Sequence, residues 1–224
     1  NVLIDIIKII SAILIIGSHS LPIFHKEIYN YFYGQWFFRF SVPFFMIVTG
    51  YFFSKANNNK RRKQIKKIFT LYIISTILYI PFIILYRDGT ISYWIKTFLF
   101  GYFHLWYLVA VAIGLILWCV LERILGKYTL GIAVFLLAVG IVFDEYHILI
   151  NSTVIEKMSF VVDEYLGGAR NAVFFAFPML YLGKVINIYE KKLKALNLKM
   201  IGLLLIVVSI LSYCEAWMIL NKVG

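Results

Sequence analysis

Residues Leu3–Phe24 read LIDIIKIISAILIIGSHSLPIF, an apolar run interrupted by Asp5, Lys8 and His19. At about 1.5 Å of rise per residue, such a run crosses the roughly 30 Å hydrocarbon core of a bilayer as one helix. Lys8 and His19 are eleven residues apart, which is three turns plus about 20°, so both project from one face, roughly 16 Å from each other. Asp5 joins that stripe within reach of the Lys8 ammonium. Ionisable groups at membrane depth are costly and mark function by default. A lysine near the inner end can instead snorkel to water. Both readings stand for Asp5 and Lys8, while the functional one is preferred for His19.

Outward from this stretch the pattern repeats. The 224 residues are 62% hydrophobic and 15% charged, with a mean hydropathy of +0.86. Seven runs are long enough, or nearly so, to span: Leu3–Phe24, Trp36–Phe53, Ile68–Tyr86, Leu105–Leu121, Tyr128–Phe143, Asn171–Ile188 and Met200–Leu220. The fifth is the shortest. The runs are continuous rather than alternating, which excludes a strand-built barrel. The expected fold is an all-α polytopic transmembrane bundle forming a single domain, 1–224. Between the third and fourth runs, Ile91, Trp94, Ile95, Phe98, Leu99 and Tyr102 recur at helical spacing opposite Ser92, Lys96 and Thr97, as in a helix at the outer interface.

The net charge of +11 is distributed by loop. Lys55, Lys60, Arg61, Arg62, Lys63, Lys66 and Lys67 follow the second run. Arg123 and Lys127 follow the fourth, and Lys191, Lys192, Lys194 and Lys199 the sixth. The intervening loops hold only Lys26, Arg87, Lys96, Lys157 and Arg170. That bias places the N-terminus in the cytoplasm of a multi-pass cell-membrane protein. No aromatic-interleaved basic face accompanies it, which argues against nucleic acid. Cys119 and Cys214 lie inside runs as apolar fillers, and no Cys/His spacing forms a metal site.

With this topology His19, Arg39, His104, Arg170 and Glu215, from five segments, share one depth near the extracytoplasmic face. Buried charges need one another as partners, so a common site is the expectation; Arg170 alone also suits interface anchoring. Histidine supplies a general base and arginines stabilise developing negative charge. Pro43, Pro81 and Pro178 are candidate helix breaks, which a transporter would use.

Asp5-x-x-Lys8 followed by His19 resembles the opening helix of the acyltransferase-3 family of integral-membrane acyltransferases. Arg39-Phe-Ser-Val-Pro-Phe-Phe continuing to Thr49-Gly50-Tyr51, His104-Leu-Trp-Tyr-Leu108, and Gly168-Ala-Arg170-Asn171 running into Phe174 and Gly183 resemble its later segments in order. Glu215 matches a less distinctive acidic position. The resemblance implies transfer of an acyl group, usually acetyl, from cytosolic acyl-CoA to a hydroxyl of an extracytoplasmic glycan or lipid-linked sugar. It implies catalytic roles for His19, Arg39, Arg170 and Glu215, and substrate- or cofactor-binding roles for Lys8, His104, Tyr107 and Asn171. His19 acts as general base or as covalent acyl carrier. The second-helix pattern also resembles the membrane domain of vancomycin-resistance-type serine racemases, which implies amino-acid supply instead. The family has about ten helices against seven runs here, so the chain is expected to be part of a larger bundle.

Overall fold

A computed structural model describes residues 2–20, 22, 24–32, 34, 39–86, 90–144, 146–148, 150 and 152–223. Trp36 and Arg87, which figure in the runs and loops above, lie outside the described residues. Those described are overwhelmingly helical, with no strand among them, so the all-α reading holds. Three stretches are individually long and apolar enough to cross a membrane: Asn58–Leu85, Phe103–Asp144 and Lys199–Asn221. The chain forms two compact units, 1–48 with 186–224, and 49–185.

In the first unit, α1 (Val2–His19) exposes Ile6, Ile9, Ile13 and Ile16, an i, i+3, i+4 stripe that marks one apolar face. The opposite face buries Ser11, and Lys8 stands half-buried at its edge. The short helix α2 (Glu27–Phe32) is entered through a reciprocal pair in which Phe24 N–H donates to Asn30 Oδ1 and Asn30 Nδ2 to Phe24 C=O, each 2.8 Å. Phe32 then lies parallel to Tyr213 and Trp217 of α11 (Leu198–Val223), centroids 5.1 and 6.0 Å away. The Tyr31 hydroxyl donates to Ala216 C=O at 3.2 Å. From Leu203 to Val208 every residue of α11 is exposed, a surface suited to lipid or neighbouring helices rather than water.

The second unit has a true core. It contains the end of α3 (Ser41–Lys55), α4 (Asn58–Tyr86), α5 (Ile91–Phe100), α6 (Trp106–Leu125), α7 (Thr129–Asp144), α8 (Thr153–Leu166), and a π-helical turn, Ala172–Ala176, opening α9 (Phe177–Ile188). The small helix α10 (Glu190–Lys194) belongs to the first unit. Asn57 starts α4 by accepting from Lys60 N–H at 2.9 Å, meeting one of the four orphan donors of a helix start. Trp106 at the start of α6 and Phe143 at the end of α7 both meet the π turn, against Phe175 (6.5 Å) and Phe174 (6.1 Å). The two helices are therefore antiparallel about the turn Gly126–Tyr128. Gly50 permits the closest approach: a Cβ there would stand 1.9 Å from the Leu180 carbonyl oxygen.

The helix expected near Ile91 is present but doubles back along α4, with the Tyr72 hydroxyl donating to Phe98 C=O at 2.7 Å. Pro81 lies inside an unbroken α4; helix prolines are tolerated where neighbours re-satisfy the freed carbonyl. Pro43 falls in the first turn of α3, where its missing N–H costs nothing. Pro178 is buried just after the π turn.

Candidate active site

The residues expected to carry chemistry divide evenly: Lys8, His19, Arg39 and Glu215 in the first unit, His104, Tyr107, Arg170 and Asn171 in the second. In the first unit Lys8 Nζ stands 3.6 Å from Asp5 Oδ1, the i, i+3 pairing anticipated from helix phase. His19 is the last residue of α1, with its side chain exposed. The flanking hydroxyls turn away from catalysis, since Ser18 Oγ donates to Ile15 C=O (2.7 Å) and Ser20 Oγ to Ile16 C=O (2.9 Å). Arg39, two residues before α3, places Nη1 3.8 Å from Glu215 Oε1, and both side chains are partly shielded. Two groups distant in sequence thus share one ion pair, which offsets the cost of either charge among apolar helices.

In the second unit Arg170 Nε donates to Asp144 Oδ2 at 2.8 Å, so the guanidinium is aimed by a carboxylate at the end of α7. Asn171 next to it is a helix cap. Its Oδ1 accepts from Val173 and Phe174 N–H (2.8 and 2.9 Å) and its Nδ2 donates to Gly168 C=O (2.8 Å). The π register follows at once, with Ala176 N–H donating to Asn171 C=O at 2.9 Å. Single π turns inside helices recur at functional sites. His104 is exposed in a 3-10 turn, its ring 4.3 Å from that of Phe103. Phe103 has φ +52°, a left-handed conformation that costs a non-glycine residue roughly 1–2 kcal/mol. Tyr107 is half-buried, with the Thr49 side chain near its hydroxyl.

One cluster escaped the sequence reading. Trp118 Nε1 donates to Glu122 Oε2 at 2.6 Å, and Lys184 Nζ pairs with Glu122 Oε1. Arg61 donates to the carbonyls of Phe53 and Ser54, both at 3.0 Å, and lies over the rings of Phe53 and Trp118. Arg61 is therefore a clamp on the end of α3, unlike the exposed Lys60, Arg62, Lys63, Lys66 and Lys67 around it. The available signal was Glu122 just past one apolar run and Lys184 inside another, with Trp118 one turn from Glu122. Cys119 and Cys214 are free thiols. Among the described residues no group of three His, Cys, Asp or Glu could hold a metal ion.

Apolar helices long enough to span mark a helical membrane protein. Residues 1–222 match the acyltransferase-3 family, an acyltransferase domain, and the chain belongs to that family. An amino-acid racemase of Enterococcus faecalis is 32% identical over 86% of this chain and 30% of its own length. A second amino-acid racemase of that organism is 31% identical over 84% of this chain and 29% of its own. A serine/alanine racemase of Enterococcus gallinarum is 27% identical over the same shares, 84% and 29%. The chain thus spans about 30% of the length of the curated relatives it matches. No solved structure matches it.

Proposed function

We propose that the protein moves an acyl group, acetyl in the simplest case, from cytosolic acyl-CoA to a hydroxyl of an extracytoplasmic glycan or lipid-linked sugar. The observation that carries this reading is the family match over residues 1–222. Helix α1 supports it, with Lys8 and His19 on one face. The N-terminus is cytoplasmic and the chain crosses the membrane several times. His19 takes the proton of the acceptor hydroxyl, whose oxygen attacks the thioester carbonyl. Arg39, oriented by Glu215, stabilises the tetrahedral oxyanion. The C–S bond then breaks, and the CoA thiolate leaves with the proton from His19. Lys8 attracts the anionic part of the donor, and the roughly 16 Å between Lys8 and His19 lets the pantetheine arm bridge from inner to outer side. Arg170 has the same electrostatic role as Arg39, with Asp144 as its orienter. Tyr107 and His104 bind substrate, and Asn171 serves them by holding the turn that carries Arg170.

A second reading is supply or transport of a small amino acid such as serine, favoured by relatives named amino-acid racemase and serine/alanine racemase. One experiment separates them. Full-length protein in proteoliposomes is given acetyl-CoA with a soluble oligosaccharide, and separately radiolabelled L-serine. Acyl transfer predicts acceptor-dependent release of free CoA thiol and no serine accumulation. Serine uptake without thiol release would replace this function with the second.

A further inference from the structure

Helices α5 and α8 carry both apolar and charged residues on their exposed faces. Thr97 and Ser159 are buried against the protein, where Ser159 Oγ donates to Phe143 C=O at 3.1 Å, while Ser92, Glu156, Lys157, Asp163 and Glu164 are exposed. Their large apolar residues face out, with Ile91 81%, Phe160 69% and Tyr165 70% exposed. The two helices are joined by the ion pair Lys96–Glu164 and by Phe100, whose ring packs against Gly167 so closely that a Cβ there would stand 2.7 Å away. Between them runs an open groove of about 400 Å³, within the range of small-molecule sites. Its wall is the stripe Ile91, Ile95 and Leu99, at i, i+4 spacing, with Phe100 beside it, and Lys96 and Glu164 stand at its edge.

We propose that this groove seats one alkyl chain of a membrane amphiphile, whose polar head lies at the Lys96–Glu164 pair. Continuity with the bilayer-facing surface identifies the occupant. The Tyr72 hydroxyl donates to Phe98 C=O and the Tyr102 ring lies tilted against that of Tyr79, centroids 5.7 Å apart. Both tyrosines of α4 lie in the membrane-crossing stretch Asn58–Leu85, whose Leu78, Phe82 and Leu85 are exposed. The outward face of α5 is thus an extension of a lipid-facing helix. An apolar wall bordered by charge matches the boundary between a lipid's chain and its head, where long cationic side chains settle. A water-facing surface of this kind would be an unsolved burial problem, whereas a lipid chain removes it.

The test uses the full-length protein in nanodiscs of phosphatidylglycerol carrying a photoactivatable diazirine on its acyl chain, with adducts mapped by mass spectrometry. Adducts on residues 91–100 and 165 are expected to exceed those on Leu78 and Phe82. Leu99→Trp, which fills the groove, lowers them about fivefold or more while adducts on α4 stay constant. Should Leu99→Trp fail to fold, Lys96→Glu, which sets like charges at the mouth, gives the same loss, and Lys96→Glu/Glu164→Lys restores it. Groove adducts no more frequent than those on α4, or unchanged in these variants, would overturn the proposal.

Discussion

The second unit closes on itself, burying Phe53, Ile83, Leu115, Trp118, Phe177 and Leu180 completely, whereas among the described residues the first buries little beyond Ser11, Ser41, Met46 and Ala216. Their buried hydroxyls differ in the same sense. In the second unit Thr129 Oγ1 donates to Gly126 C=O at 2.8 Å, Thr76 to Tyr72 C=O at 2.8 Å, and Ser159 to Phe143 C=O; among the described residues His147 Nδ1 is the exception. In the first unit Ser11 Oγ and Ser41 Oγ are buried with no partner among the described residues. A satisfied, aromatic core makes a scaffold. The first unit is thin, with the Arg39–Glu215 pair and unmatched hydroxyls, and each unmet buried polar group costs about 1–3 kcal/mol.

The largest expected effect that tests this contrast is at Gly50. Gly50→Val drives a side chain into the Leu180 backbone, which cannot swing aside, and overpacking at such a contact costs about 3 kcal/mol. Fluorescence-detected gel filtration and thermal unfolding in detergent should show little folded protein. A folded, wild-type-like Gly50→Val would mean that the second unit is looser than described.

Next in size is the Glu122 cluster. Glu122→Gln removes the charge that pairs with Lys184 and weakens the acceptor of the Trp118 N–H. The cost should be about 1–2 kcal/mol, modest because both charged ends are partly open. The swap Glu122→Lys/Lys184→Glu should recover only part of it, because lysine cannot accept from the indole. Full recovery in thermal unfolding would reduce the cluster to a simple ion pair.

The smallest effect is the sharpest on the comparison itself. Thr129→Val should cost about 1 kcal/mol through a lost hydrogen bond, while Ser11→Ala and Ser41→Ala, which each remove an unmet buried hydroxyl, should stabilise the fold by about 1 kcal/mol. Equal losses at all three positions in thermal unfolding would erase the distinction between the units. Loss of acyl transfer by Ser41→Ala with no loss of stability would sharpen it, placing that hydroxyl in the reaction.

Helix type was legible from residue order because continuous apolar runs fold as helices, and each of the seven runs carries a helix, with three stretches among the described residues individually long and apolar enough to cross a membrane. The pairing of Asp5 with Lys8 was legible from helix phase alone. The pairing of Arg39 with Glu215 joins residues far apart in the chain, and residue order could offer only their shared depth. Asp144 stands just past an apolar run, and nothing local reveals that it aims Arg170. Arg61 was read as one of seven basic residues marking topology, yet it alone turns inward, because the carbonyls of Phe53 and Ser54 and the Trp118 ring lie on its side of α4. The π turn was invisible, since it depends on Asn171 capping two backbone donors, and a helix of ordinary register reads the same.

The central claim is that His19, at the end of α1, carries the acyl-transfer chemistry. The direct measurement is the O-acetyl content of the surface glycan in cells making full-length His19→Ala, Lys8→Ala or Lys8→Arg at equal membrane levels. The account predicts acetylation abolished by His19→Ala, lowered by Lys8→Ala, and largely kept by Lys8→Arg, which retains the positive charge. Wild-type acetylation in His19→Ala would contradict it and move the function to amino-acid supply.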